Sequence, residues 1–385
     1  MTRWSRDGAA ADRSPARPIA RPMTRTGLRG LALLSLLVLL ASFPSCKRGG
    51  EAGSPAASGA LGNLTLTGAG ATFQFPLMSK WAAEYGAMNP GVRVNYQSIG
   101  SGGGIRQIIA RTVHFGSTDG PMTDEQLAEA GAPVLHIPVT LGAVAVVVNL
   151  PDVNTDLRFT GPLLADIFLG KVSNWNDPAI AAVNPGVALP DRPIAVVHRS
   201  DGSGTTYIFV DFLSKVSPEW KSRVGVATSV NWPTGLGAKG NEGVTGQVKQ
   251  NPGSIGYVEL TYALQNGIPT AAIQNPAGEF VKPTVAAVSG AAAAAAENLP
   301  EDLRVSITNA RGPGAYPISG FSWVVIHREQ TDCRVATALV RFLWWAVRDG
   351  QRFAEPLHYA PLPAGVVSLD EAKLKSVSCG GKPVL

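Results

Sequence analysis

The chain has 385 residues, of which 45% are apolar and 16% charged, a composition that excludes wholesale disorder and leaves room for two folded domains. Its formal charge of +5 suggests a polyanion partner only until the charge is located. Seven arginines (Arg3, Arg6, Arg13, Arg17, Arg21, Arg25, Arg29) against Asp7 and Asp12 place the entire excess before residue 46. The remainder carries equal numbers of basic and acidic side chains, which argues against a nucleic-acid partner.

Residues 1–45 read as a signal peptide. The arginines precede an apolar run, Leu31 to Phe43, of signal-core length and too short for a comfortable membrane span. The run ends in Phe43-Pro44-Ser45-Cys46, which resembles the lipobox of bacterial lipoproteins and makes Cys46 the lipidated first mature residue; simple cleavage nearby with export to a soluble pool is the alternative. Met23 repeats the Met-Thr-Arg of the start, so translation from Met23 is a second option. Residues 46–62, rich in Gly, Ala, Ser and Pro, read as a flexible tether. With Cys46 set aside, Cys333 and Cys379 form an even pair. Outside the cytosol such a pair can bond, closing a loop of roughly 45 residues and restraining the unfolded C-terminus by about 4 kcal/mol. Two separate buried thiols are the other reading. No Cys/His cluster has metal-ligand spacing, so neither metal nor cofactor is expected.

Order begins at Asn63 with an alternating strand, then Gly68-Ala-Gly70-Ala-Thr72-Phe73 and a helix carrying Leu77, Trp81 and Tyr85. A dinucleotide-binding fingerprint is rejected, because the third glycine is missing and no acidic residue closes the next strand. The unit repeats: Val92, Val94 and Tyr96 alternate, Gly100-Ser101-Gly-Gly-Gly104 forms a loop, and Ile105, Ile108, Ile109 and Val113 fall at helical spacing. Phe115-Gly-Ser-Thr-Asp119 leads to a Thr123/Gln126 capping box. Asp119 taken alone is a turn aspartate. Val134 to Asn149 predicts a strand, Thr160 and Trp175-Asn-Asp-Pro open helices, and Ile194 to His198 is a strand. Gly235 to Gly246 reads as a loop, Ile255 to Leu260 as a strand, Ala291 to Ala296 as helix, Pro317 to His327 as a strand and Val335 to Val347 as a buried helix. Strands alternating with helices predict an α/β chain.

Between two of these elements lies the stretch with most chemistry, Ala195 to Thr205. A strand ends at Arg199, Asp201-Gly-Ser203-Gly204 turns, and a helix begins. Free N–H groups at a helix start, hydroxyls and a guanidinium together suit an oxyanion. The same residues are also ordinary turn and cap residues.

Thr67-Gly-Ala-Gly-Ala-Thr72-Phe73, Lys80-Trp81, Val94-Asn-Tyr-Gln-Ser-Ile-Gly100-Ser101, Phe115-Gly-Ser-Thr-Asp119, Arg199-Ser-Asp201-Gly-Ser203-Gly-Thr205, Gly235-Leu-Gly-Ala-Lys-Gly-Asn-Glu-Gly and Gly253-Ser-Ile-Gly-Tyr-Val-Glu run in this order along the chain. Together they resemble the periplasmic phosphate-binding proteins of bacterial phosphate ABC transporters. The resemblance implies a type II periplasmic-binding-protein fold, with two lobes, each a mixed, largely parallel sheet flanked by helices, and a ligand cleft between them. It implies crossings near Thr140 and Pro317, hence lobe I from residues 63–140 and 317–385 and lobe II from 141–316. The implied ligand set is Thr72, Phe73, Ser101, Asp119, Arg199, Ser203, Gly204 and Thr205, with Asp201 as the charge partner of Arg199. Gly102 and Thr118 stand where relatives often have Ser.

The implied function is extracytoplasmic capture of inorganic phosphate and delivery to the permease subunits of an ABC importer, without enzymatic activity and with membrane contact only through an anchor at Cys46. Chemistry suits this ligand. An ionised carboxylate can only accept hydrogen bonds, so Asp119 would accept from protonated phosphate and repel sulfate. The alternatives are a binding protein for another oxyanion and an exported phosphatase using Ser203 or Ser101. Ser203 does not sit in a G-x-S-x-G elbow, and no His is placed as its base.

Overall fold

The computed structural model describes residues 63–295 and 299–385. The leader, the tether and Cys46 lie outside the described residues.

The chain opens with β1 (Leu64–Gly70), α1 (Phe75–Met88) and β2 (Val92–Ser98). Proline in its first turn suits the start of α1, whose buried stripe is Leu77, Met78, Trp81 and Tyr85. Next come α2 (Ser101–Ile109) and β3 (Phe115–Thr118). The periodicity had carried α2 on to Val113, but the helix stops at Ile109 and Arg111 takes a left-handed conformation at φ 53°. Val113 is buried in the connection instead. The Thr123/Gln126 capping box starts α3 (Asp124–Glu129), and β4 (Val134–Asn149) follows with the limits its composition predicts.

The second stretch of chain carries β5 (Arg158–Phe159), α4 (Gly161–Phe168), α5 (Pro178–Val183), β6 (Ala195–Arg199), α6 (Gly204–Val216) and α7 (Pro218–Arg223). Side chains of Thr160, Asp177, Ser203 and Ser217 cap the four helices. The Gly-rich segment is a correction: it forms β7 (Leu236–Ala238) and α8 (Gly240–Gln250), not a loop. Its glycines disguise a helix that still buries Val244 and Val248 at i, i+4 spacing. Then follow β8 (Ser254–Glu259), α9 (Leu260–Gln265), β9 (Ala272–Gln274), β10 (Phe280–Val281) and α10 (Val285–Ala295).

The chain ends with β11 (Ser319–His327), β12 (Glu329–Gln330), α11 (Cys333–Val347), α12 (Ala364–Lys375), β13 (Ser378–Cys379) and β14 (Lys382–Pro383). A disulfide joins Cys333, at the start of α11, to Cys379 on β13. It closes a loop of about 46 residues, worth roughly 4 kcal/mol in the chain-entropy picture.

One mixed sheet runs β2-β1-β3-β11-β4-β8-β6-β7. Its two ends are parallel and its middle antiparallel. The long strand β4 explains how one sheet serves two lobes. Up to Ala143 it pairs with β11, and from Val144 onward it pairs with β8. The segment entering β11 crosses at the same level, where the Val144 N–H donates to the Ile318 carbonyl at 2.8 Å. With helices covering both faces, β4 is a near-continuous apolar run, buried from His136 to Val148. Large indoles fill the core, and those of Trp81 and Trp175 are satisfied by the Gly350 and Gly253 carbonyls at 2.8 Å each. The C-terminal ends of β1, β3 and β6 face the crossing, and the loops they feed make the site.

Candidate functional site

Each of these loops runs from a strand end to a helix start. The loop after β1 carries Thr72 and Phe73 into α1, Ser101 opens α2, and Asp119 follows β3. Arg199 ends β6 and leads through Asp201 and Ser203 to Gly204 and Thr205, the first residues of α6. A helix start offers backbone N–H groups and the positive end of the helix dipole, so the shared geometry favours an anion.

The two lobes are shut on one another. The Gly204 N–H donates to Ser101 Oγ at 3.0 Å, and the Gly102 N–H donates to the Gly202 carbonyl at 2.9 Å. A β-carbon at Gly204 would come within 2.5 Å of Asp119, so only glycine lets the start of α6 approach that carboxylate. Across the same gap, the Asn241 backbone N–H and side-chain Nδ2 donate to Thr72 Oγ1 at 3.3 and 2.8 Å. The Tyr262 hydroxyl donates to the Thr72 carbonyl at 2.7 Å.

Asp119 is 1% exposed. Its Oδ1 accepts from Ser322 Oγ at 2.6 Å, and its Oδ2 faces Ser101 Oγ at 3.4 Å. Burial pushes its carboxyl up to about 7, against the smaller lowering influences of Ser322, the Arg199 charge and Ser101. Ser101 Oγ also accepts from the Asp119 N–H at 3.2 Å. With the Gly204 bond this fills the acceptor positions of the hydroxyl and directs its proton, which donates to Asp119 Oδ2 at 3.4 Å, into the cleft.

Arg199 supplies the positive charge, and its side chain is 1% exposed. Nε and Nη2 donate to Asp201 Oδ1 and Oδ2 at 2.8 and 2.6 Å, while Nη1 reaches Thr205 Oγ1 at 3.4 Å. This fork-to-fork pairing fixes the guanidinium plane. Burial alone would raise Asp201, but the Arg199 bonds and charge, with the Gly240 N–H at 3.0 Å, hold its carboxyl below the usual range.

Two members of the expected set also carry structural contacts. Ser203 Oγ accepts from the Thr206 N–H at 3.0 Å as the cap of α6. The Phe73 ring is buried beside Tyr359, and its carbonyl accepts from the Tyr359 hydroxyl at 2.6 Å. Thr72, Ser101, Asp119, Arg199, Gly204 and Thr205 are linked by the contacts described, with Asp201 behind Arg199.

Sequence reasoning missed the support around them. Asn241 lies in the Gly-rich segment whose composition predicts a loop. Ser322 is a hydroxyl in the middle of the otherwise largely apolar strand β11, whose other serine, Ser319, stands at its start. Tyr257 accepts from the Arg199 N–H at 3.1 Å and shares a hydrogen bond with Thr206. Glu259 is fully buried, and burial raises its carboxyl well above the ordinary range although Thr261 and Tyr359 hydrogen-bond to it.

Two α/β lobes sharing a strand, with helix starts facing one another across a closed cleft, define a two-lobed substrate-binding protein. The PBP superfamily domain model matches residues 51–349. Phosphate-binding protein PstS of Xylella fastidiosa (strain Temecula1) is 50% identical over 311 residues, 80% of this chain and 85% of that protein. PstS of Pasteurella multocida is 47% identical over 313 residues, 81% of this chain and 90% of that one. PstS of Methanocaldococcus jannaschii is 36% identical over 360 residues, 88% and 90% of the two chains. The chain belongs to the PstS family of phosphate-binding proteins.

Two solved structures share the fold. A phosphate-binding protein from Stenotrophomonas maltophilia matches with a TM-score of 0.62 at 20% identity, over 80% of this chain and 93% of that one. A high affinity periplasmic phosphate-binding protein, PfluDING, bound with phosphate, matches at 0.63 and 23% identity, over 80% and 92%.

Proposed function

We propose that this chain captures inorganic phosphate outside the cytoplasm and hands it to the permease subunits of a membrane ABC importer. The observation that carries the reading is the pairing, within one closed cleft, of a buried acceptor, Asp119, with a buried cation, Arg199, and the hydroxyls of Ser101, Thr72 and Thr205 beside them. The PstS relatives supply the ligand's name.

In this reading Arg199 contributes charge and direction, and Asp201 offsets part of that charge so that the anion can leave again. Hydroxyls of Thr72, Ser101, Ser203 and Thr205 and backbone N–H groups near Phe73 and Gly204 donate to the ligand's oxygens. Asp119 accepts from the hydroxyl that phosphate keeps near neutral pH. Sulfate has no such proton, and an unmatched buried acceptor pair costs on the order of several kcal/mol. Lobe I comprises residues 63–140 and 317–385 and lobe II residues 141–316, a division supported by the change of partner along β4. Residues 1–45 direct export, and Cys46 with the tether of 46–62 anchors the binding domain to the membrane. This reading invokes no nucleophile and base pair.

Calorimetric titration with phosphate, sulfate, arsenate and molybdate tests the reading. One saturable phosphate site with sulfate rejected is expected. Binding of sulfate as tight as phosphate would overturn it, and so would the absence of any phosphate site.

A further inference from the structure

We propose that Asn241 is a positioning residue: it turns the hydroxyl protons of Thr72 and Thr205 toward the ligand as the lobes close. The inference rests on the reading of those two threonines as ligand groups.

Asn241 is the second residue of α8 and is fully buried. Its amide cannot be flipped without loss. Oδ1 accepts from the backbone N–H of Glu259 at 3.0 Å, a donor whose polarity is fixed. The NH2 group must therefore face the other way, where it reaches Thr72 Oγ1 at 2.8 Å and Thr205 Oγ1 at 3.1 Å. Each hydroxyl oxygen has two lone pairs, and in each case a second donor takes the other one. The Asn241 backbone N–H lies 3.3 Å from Thr72 Oγ1, and Arg199 Nη1 lies 3.4 Å from Thr205 Oγ1. With both acceptor positions filled, each threonine keeps only its own O–H, which must point away from the amide and the guanidinium. A hydroxyl left to itself is donor or acceptor at will; these two are made donors only, as an anion requires.

The geometry also ties this selection to closure. Thr72 belongs to the loop after β1 and Thr205 to α6, on opposite sides of the cleft, and the single amide spans both. When the lobes part, Thr72 loses both of its Asn241 donors and regains its freedom to rotate. Asparagine is the residue this needs. In Asn241→Asp one carboxylate oxygen would still accept from the Glu259 N–H, while the other would accept from the two hydroxyls and draw their protons away from the ligand. The change keeps the size and reverses the polarity.

The test is phosphate titration by calorimetry on the full exported chain, extended to millimolar ligand, with melting curves to check folding. Asn241→Ala should weaken binding about tenfold, since freed hydroxyls lose part of two bonds to an anion. Asn241→Asp should weaken it about a hundredfold or more. In a Thr72→Val, Thr205→Val background, the further change Asn241→Ala should alter affinity less than twofold, because the groups through which Asn241 acts are gone. An Asn241→Ala effect of equal size in both backgrounds would mark a merely structural role and overturn the inference. So would an Asn241→Asp variant that is folded and binds no more weakly than Asn241→Ala. If either Asn241 variant binds like the wild type while Thr205→Val weakens binding tenfold, the site reading stands and this inference alone falls. Should Thr72→Val and Thr205→Val both bind like the wild type, the site reading falls and takes this inference with it.

Discussion

Asp119 and Asp201 are both carboxylates of the same closed cleft, yet their surroundings shift them in opposite directions. Asp119 lies on the lobe that contains β1 to β3 and accepts hydrogen bonds from the hydroxyls of Ser322 and Ser101 rather than from a cation, so burial dominates and lifts it to about 7. Asp201 lies across the cleft in a bidentate pair with Arg199, which outweighs burial and keeps it ionised. One residue type thus takes two roles set by its neighbours. The first is poised to share a proton with a ligand, and the second holds and moderates a charge.

The largest effect should come from removing the guanidinium that separates the two environments. Arg199→Ala deletes the cation and leaves the partly buried Asp201 carboxylate without its charge partner, so phosphate affinity should fall at least tenfold by calorimetry. Unchanged affinity would put the site elsewhere. Asp119→Asn comes next, because an amide can donate where an ionised carboxylate cannot: the preference for phosphate over sulfate should shrink, with modest loss of phosphate affinity. In the wild type the same erosion should appear on acidification, as Asp119 gains its proton below about pH 7 and becomes a donor.

The same aspartate should also be visible in stability. Its folded pKa lies above its unfolded one, so its contribution is fully present below about pH 4 and is lost as pH rises through about 7. The Asp119→Asn variant should therefore gain stability over the ligand-free wild type as pH rises from 4 to 7, by roughly 4 kcal/mol at most, read as a growing difference in melting temperature that then levels off. A constant difference across that range would mean that Asp119 is solvated. Asp201→Asn should have the smallest effect, a severalfold slower release of phosphate measured by stopped flow, since the Arg199 charge is no longer shared.

Much of this frame was legible because local physics agreed with tertiary structure. The largely apolar 16-residue stretch of β4 has no other home than a buried strand, and the Thr123/Gln126 box marks its helix by side-chain chemistry alone. The region from Gly235 to Gln250 was not legible. Gly235 and Gly240 take φ of 109° and 74°, one against the Val196 backbone and the other at the start of α8, and glycines chosen for close approach look like those of a loop. That misreading hid Asn241. Ser322 and Tyr262 were hidden for another reason: their partners, Asp119 and Thr72, lie about 200 residues away in sequence, and no local pattern encodes a contact made when distant segments meet. The loop residues after each strand were legible through family resemblance, while the groups that orient them became visible only in three dimensions.

The central claim, a closed phosphate site whose selectivity rests on the proton facing Asp119, is most directly tested by titrating the wild-type chain with phosphate and with sulfate at pH 8 and pH 6. The account predicts one phosphate site at both values, no sulfate binding at pH 8 and measurable sulfate binding at pH 6. Sulfate affinity equal to that of phosphate at pH 8 would contradict it.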